Sequence, residues 1–468
     1  MPMSPRDFDS RAADAMADEQ LQANLKKLMI LLKALHRQGT GSVTNFDELR
    51  QCASAVKKHT IENLDYYLEQ FESRVIEKGG KVHYAQTCED LNVIVIEICK
   101  RRGVKTIVKG KSMVSEETGL NKALEAAAIE VTETDMGEYI VQIAHERPSH
   151  LVGPAIHKNR KEIADLFLKH HDLGPRSLKE IPEIVAEGRR VLREKFLRAD
   201  AGITGANVLI AETGGVVLVT NEGNADLCST IPKMHIVVAG IEKLVPGLED
   251  AGAVLRVLAR SLTGRAMSCY TSFLTGPREG PQYCGPEELH VVLLDNHRTE
   301  IIGSEFRDIL RCIRCSSCMN HCPVFGQTGG HAYGSVYSGP MGSVLTPIME
   351  GIENAADLPD ACSSDGRCAE VCPMMIPLPD LLRRLRGKER ELGISKRYMR
   401  WGISAYMTLA RFPRLYRTIT DAGAGALSVL GHVNKSIPYC RGRTFFSLFA
   451  RQRRRSKGAG HGYRSLKQ

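Results

Sequence analysis

Leu21, Leu25, Leu28, Leu32 and Leu35 recur at helical spacing within ADEQLQANLKKLMILLKALH, residues 17–36, with polar residues between them. A stripe of this period predicts an amphipathic helix, and Asp18 stands where an N-cap would accept backbone N–H bonds. A second helical pattern covers about 47–78. From about 80 to 300 the texture changes to short β-rich runs between helical patterns. The predicted strands are Val93–Ile98, Val104–Val108, Ala206–Ile210, Val216–Val219, His235–Ala239 and His290–Leu294. The predicted helices include Gly119–Ile129, Arg160–Lys169 and Ile184–Ala199. Near-continuous apolar strands between helices predict an α/β domain with a mostly parallel sheet, because strands covered on both faces lose the polar alternation. Periodicity leaves the strand order open.

Beyond 300 the chain turns largely helical and cysteine-rich, then basic. The expected organisation is a helical segment over 1–60, an α/β domain over 61–300, a cysteine-rich helical domain over 301–390 and a basic region over 391–468. A length of 468 residues suits roughly three domains of about 150 residues. Hydrophobic residues at 43% and charged residues at 25% exclude a disordered, collagenous or disulfide-stapled chain. No run of 18 apolar residues occurs, so no transmembrane span is expected. Met1–Ser10 shows no basic stretch followed by an apolar one, so no secretory signal is expected. A cytoplasmic location follows as an expectation.

Charge is unevenly placed. From Arg383 onward there are 21 Lys and Arg against three acids, Glu389, Glu391 and Asp421, a net +18. The first 382 residues carry 42 basic and 51 acidic side chains, a net −9. A basic tail on an acidic body points to an anionic partner: a lipid surface, which would make the protein peripheral at the inner face of the membrane, or an acidic protein face. A nucleic-acid partner is not expected, because no recognisable binding module accompanies the charge. The plain alternative is a solvated tail, and RQRRRSKGAGHGYRS within 451–468 reads as disordered.

Seven of the fourteen cysteines fall between Cys312 and Cys372. CIRCSSCMNHCP places Cys312, Cys315, Cys318, Cys322 and Pro323 in the order C-x₂-C-x₂-C-x₃-C-P, the spacing of a bacterial-type [4Fe–4S] site. Each iron of a cubane takes one soft thiolate, and three closely spaced cysteines wrap one cluster in a tight loop. Fifty residues later CSSDGRCAEVCP repeats the pattern. Cys312 maps to Cys362, Cys318 to Cys368, Cys322 to Cys372, and Cys315 to Asp365. Zinc favours two separated pairs over a run of four. In two-cluster ferredoxins the fourth cysteine serves the other cluster. By that rule one cluster takes Cys312, Cys315, Cys318 and Cys372, and the other takes Cys322, Cys362, Cys368 and, as a fourth donor, Asp365. A carboxylate is a harder ligand than a thiolate, so the second cluster is either Asp-ligated or a [3Fe–4S]. In the alternative Asp365 is a loop residue. The 39 residues between the motifs favour a helical scaffold over a small ferredoxin sheet.

Other motifs carry less. Gly110-Lys111-Ser112 looks like the end of a P-loop, but Lys105 stands where the first glycine would be. Lys109 and Lys111 form either an anion-holding loop or a basic surface turn. No G-x-G-x-x-G follows a strand. His145, His150 and His157 fit no standard metal spacing. The isolated cysteines, Cys52 to Cys284 and Cys440, read as small buried hydrophobes.

The chain resembles the lactate utilization protein B family. The resemblance runs through KGKSMVSEETGLN at 109–121, TDMGEYIVQIAHERPSH at 134–150, AETGGVVLVTNEGN at 211–224 and GIEKLVP at 240–246. It continues through the cysteine motif, GGHAYGSVYSGPMGSVLTP at 329–347, and MRWGISAYMTLARFPRLYR in the tail. It implies a LUD α/β domain, akin to sugar-phosphate isomerase and CoA-transferase-like folds, followed by an α-helical ferredoxin-like domain with two [4Fe–4S] clusters. It further implies electron transfer in the oxidation of L-lactate to pyruvate, with lactate utilization proteins A and C as partners; a quinone-linked acceptor is expected instead from docking of the basic tail at the membrane. Asp365 departs from the family's cysteine pattern. An alternative function, an enzyme whose LUD pocket does acyl/CoA-transferase-like or hydroxy-acid chemistry with the clusters secondary, rests on Glu212, which precedes glycines between two predicted strands; in CoA-transferase-like folds such a glutamate can be an acyl-accepting nucleophile, and in the plain reading it is a turn residue that shapes a pocket.

Overall fold

In the computed structural model, residues 5–174, 176–395 and 397–433 are described. The strands are β1 (Lys81–Ala85), β2 (Thr106–Lys109), β3 (Glu130–Glu133), β4 (Ala201–Thr204), β5 (Val208–Ile210), β6 (Gly215–Thr220), β7 (Met234–Gly240), β8 (Leu244–Val245), β9 (Tyr270–Leu274) and β10 (Glu288–Leu294). Six of them form a sheet in the order β1-β10-β7-β4-β2-β3, and every pairing in it is parallel. The expectation of an α/β domain with a mostly parallel sheet holds. β7 sits at its centre and is buried at every position, the physical origin of its unbroken apolar run. A second, four-stranded sheet has the order β8-β5-β6-β9 and mixes parallel and antiparallel pairs.

The chain runs from β2 to β3 on one side, then returns to β4 on the other side of β2. This reversal makes the β2–β4 boundary a topological switch point.

One predicted strand is a helix. Val93–Ile98 lies inside α5 (Cys88–Arg101), the fifth helix of the chain. Its β-branched run suggests a strand, but Leu91, Val95 and Ile98 are buried on one helical face while Val93 is exposed. A capping box formed by Thr87 and Asp90 starts the helix. β1, β3, β4, β8 and β9 have no counterpart among the predicted strands, because they are two to five residues long and, in β1 and β3, carry Lys81, His83, Glu130 and Thr132.

The first four helices are α1 (Phe8–Ala17), α2 (Glu19–Gly41), α3 (Phe46–Glu62) and α4 (Leu64–Glu77). Asp18 caps α2 as predicted, its carboxylate accepting the Leu21 N–H at 2.9 Å. The 47–78 pattern is two helices, broken at Asn63. α2 packs on the helix Leu248–Thr263 and on Ser317–His321. Gly39 and Gly264 let two backbones meet: a Cβ on Gly39 would lie 2.5 Å from the Cα of Gly264.

Two compact units emerge, Met1–Leu392 and Gly393–Gln468. The second contains the helices Arg397–Ala410 and Pro413–Val433, on which Trp401, Tyr406 and Phe412 are exposed. The expected disorder of 451–468, like Cys440, lies outside the described residues. No helix among the described residues is long and apolar enough to cross a membrane.

Candidate metal centre

The cysteine motifs fold as two copies of one turn. In the first, Arg314 and Ser316 both have φ of 60°, and Ser316 precedes the short helix Ser317–His321. In the second, Ser364 has φ 57° and Gly366 φ 82°, and Gly366 precedes Arg367–Glu370. Each copy thus has left-handed residues two and four positions after its first cysteine. Arg314, Ser316 and Ser364 carry a Cβ in a region that favours glycine, so the loop geometry is held by its surroundings. The repeat is structural as well as sequential.

These turns bring Cys312, Cys315, Cys318 and Cys372 around one cavity, whose other walls are Arg314, Ser316 and mostly apolar side chains that include Ile313, Met341 and Ile376. Cys372 arrives from the second motif. Burial raises the Cys315 thiol to about 12, and the nearby Cys372 and Cys312 push it the same way. Burial likewise raises Cys318 well above its ordinary value, reinforced by Cys312, Cys315 and Cys372. Such a pocket stabilises thiolates only when a cation sits among them, which is what the irons of a cluster supply. Four thiols among largely apolar walls are the donor set of a [4Fe–4S] cubane.

Cys322, Cys362, Cys368 and Asp365 form the second group. Burial raises the Cys368 thiol to about 12, with Cys362, Cys322 and Asp365 adding to the effect. Backbone N–H groups point at two of its sulfurs: Phe325 donates to Cys322 Sγ at 3.5 Å, and Ser364 to Cys362 Sγ at 3.3 Å. Asp365 is exposed at the rim, close enough to act on Cys322 and Cys368. Among the described residues no three His, Cys, Asp or Glu side chains converge on a point that suits a single metal ion; the thiols ring a volume instead.

Residues with no signature in the sequence brace both groups. Arg50 on α3 donates to the Cys372 carbonyl at 2.8 and 3.2 Å and to the Glu370 carbonyl at 2.9 Å. Arg386 donates to the carbonyls of Pro359 and Cys362, each at 2.7 Å. A lone arginine in a helix has no periodicity to mark it.

Beneath the first thiol group lies a buried ion network. Arg298, 1% exposed, donates to Glu242 Oε2 at 2.7 Å and to both Glu117 oxygens at 3.0 and 2.9 Å. Tyr337 donates to Glu117, and the Arg314 guanidinium sits over the Tyr337 ring at 4.6 Å and 3.8 Å from Glu242. Burial opposes ionisation of Glu242, but Arg298, Lys243 and Arg314 hold its carboxyl down to about 2.

Other sequence candidates sit elsewhere. Glu212 is exposed in the turn between β5 and β6, where it accepts the Leu248 N–H at 3.2 Å at the start of a helix. Lys109 is no surface turn: it is 1% exposed and pairs with Glu133 at 2.7 Å. Its buried partner is four residues into the next strand pair, invisible to charge pattern. His150 is buried against Asn320 at 3.0 Å, and burial lowers its pKa to about 4.

A parallel-sheet domain followed by a helical segment with seven clustered cysteines is the architecture of an iron–sulfur protein of the LUD class. The LUD domain family matches residues 68–294, and the 4Fe-4S dicluster domain family matches residues 308–376. The chain is 43% identical to Lactate utilization protein B of Bacillus licheniformis over 89% of its own length and 87% of the relative's. It is 41% identical to the "uncharacterized electron transport protein YkgF" of Escherichia coli K12, over 91% and 89%. A DUF162 family protein of Deinococcus radiodurans matches with 49% of this chain and 98% of its own covered, 19% identity and a TM-score of 0.27. The chain belongs to the lactate utilization protein B family. It is an iron–sulfur protein of that family, and its cofactors are two [4Fe–4S] clusters.

Proposed function

We propose that the protein is the electron-carrying subunit of a lactate-oxidising system in the cytoplasm, passing electrons from the oxidation site towards the respiratory chain. The observation that carries this is the gathering of Cys312, Cys315, Cys318 and Cys372 around one cavity with a second donor group in the same segment. In this reading the first four thiols hold one cluster, and Cys322, Cys362, Cys368 and Asp365 hold the other. Bound clusters supply one-electron carriers tunable across roughly −700 to +450 mV. The chain supplies the thiolates, the N–H bonds to sulfur and the mostly apolar walls. Lactate utilization proteins A and C are the partners in this reading, and the relatives' names support a shared lactate-utilization role.

The test is anaerobic iron and sulfide counting with EPR during a reductive titration. About eight irons and two reducible clusters are expected. On brief air exposure a [3Fe–4S] signal should appear, because an oxygen donor holds its iron less well than sulfur does. Asp365→Cys should suppress that signal. A wild-type protein without the signal, or a variant that keeps it, would remove Asp365 from the ligand set.

The tail is the exit side in this proposal. Exposed Trp401, Tyr406 and Phe412 accompany the run of 21 basic residues, a combination that suits the interface of an anionic membrane. Each Lys or Arg near such a surface contributes about 1 kcal/mol, screened within about 10 Å at 0.1 M salt. Full-length protein should co-sediment with phosphatidylserine vesicles at low salt and release at high salt. A chain truncated after Leu392 should stay in the supernatant, and equal behaviour of the two forms would rule docking out.

A further inference from the structure

The two thiol groups sit in opposite electrostatic settings. Lys57, 3% exposed on α3, donates to the carbonyls of Glu242 and, at 3.1 Å, Leu244. Lys243 closes the turn Ile241–Lys243 between β7 and β8. Arg314 stands between Cys312 and Cys315 with its side chain 10% exposed. Cys312 is close enough to act on all three cations. They continue into the network of Arg298, Glu117 and Glu242. Lys57, Lys243, Arg298 and Arg314 against Glu117 and Glu242 leave a net +2 beside the first group. Arg50 and Arg311, which adjoin Cys372 and Cys312, are already paired, with Asp47 at 2.9 Å and Asp308 at 3.0 Å. Lys243 and Arg314 also line a crevice of about 250 Å³ at the β2–β4 boundary. Its carboxylates, Asp135 and Glu222, bond backbone N–H groups at the start of the helix Met136–Ile143, and Glu138 of that helix pairs with Lys111 at 3.6 Å.

Cys322, Cys362 and Cys368 meet the reverse. Asp365 acts on Cys322 and Cys368 as a like charge. Arg367 is paired with Glu370, and Arg386, which reaches the Cys362 carbonyl, lies 3.8 Å from Asp360. Net charge, N–H bonds to sulfur and solvent exposure set the potential of a cluster of given type. N–H donors serve both groups: Ser317 to Cys315, and Met374 and Ile376 to Cys372, in the first. In the second they are Val324 and Phe325 to Cys322, Ala369 to Cys368 and Ser364 to Cys362. Water at the rim favours reduction of the second group, but the Asp365 carboxylate at the same rim opposes it. The buried charge beside the first group is the difference that remains, and burial lets it act with little screening.

We propose that Lys57, Lys243 and Arg314 make the first cluster the resting place of an electron, so that it is reduced before the second. Reduction adds one negative charge among the thiolates, and these cations stabilise that charge where Asp365 destabilises it. A single electron on the protein then sits at the inner cluster, beside the sheet domain. The second cluster, at the rim, fills only when a second electron arrives. The proposal rests on the electron-carrying reading above and adds to it which residues decide the order of filling.

A reductive titration of anaerobic, cluster-loaded protein followed by EPR tests this, with Cys362→Ser and Cys315→Ser assigning the first and second signals. In wild type the first signal should appear at the higher potential. Arg314→Gln and Lys57→Gln each keep a donor and lose the charge. Each should make the first cluster about tenfold or more harder to reduce, about 59 mV for a one-electron couple, and leave the second in place. Arg314→Lys should restore most of the wild-type value. Iron is counted on every sample, so wild type without its two clusters refutes the electron-carrying reading itself. A variant that loads fewer than about eight irons is set aside, and the wild-type order with the other variant then decides. In loaded protein, a second cluster reduced first, variants that titrate as wild type, or variants that shift both clusters equally would overturn the proposal.

Discussion

Cys315→Ser should strip one cluster from the protein and leave the other. Cys315 is buried in the cavity with Cys312, Cys318 and Cys372, so a harder hydroxyl there removes a soft donor that no described neighbour replaces. Iron should fall from about eight to about four per chain, with one reducible EPR signal remaining. Cys362→Ser should remove the complementary signal. The crossing of Cys372 into the first group gives the sharpest check: Cys372→Ser should resemble Cys315→Ser, although it lies in the second motif. Loss of the same signal as in Cys362→Ser would mean that each motif holds its own cluster.

The largest effect on stability is expected from Arg298→Met. Methionine keeps much of the volume but leaves Glu117 and Glu242 buried without their shared cation. Breaking a buried pair by removing one partner costs about 3–5 kcal/mol, well beyond a surface salt bridge. Urea unfolding at neutral pH should show that loss. The pH dependence follows from Glu242, whose carboxyl is held from its ordinary 4.5 to about 2 in the folded state. A depressed folded pKa contributes stability that is present above 4.5 and disappears as pH falls towards 2. The gap between wild type and Arg298→Met should therefore be widest above pH 4.5 and narrow on acidification. Adding Glu242→Gln to Arg298→Met should cost less than the sum of the single changes, because both act on one network. A constant gap across that range, or additive losses, would show that the network is not held together by charge.

Part of this protein is written in local sequence. Thiol spacing is a property of a few adjacent residues, and the turn that presents Cys312, Cys315 and Cys318 is itself local, so both motifs read directly. The same holds for α2, whose leucine stripe and Asp18 cap lie within one segment, and for β7 and β10, whose apolar runs follow from burial on both faces. Tertiary structure decided the rest. Val93–Ile98 became a helix because a capping box and one buried face outweighed β-branched propensity. Lys109 went inside because Glu133, on the neighbouring strand, supplies its counter-charge. Arg50, Arg386 and Arg298 find their roles only through partners that are distant in the chain. The crevice at the β2–β4 boundary depends on strand order, which periodicity does not encode. Short-range chemistry is legible in sequence because its partners are a few residues apart; burial, charge pairing and cavities depend on partners that only the folded chain brings together.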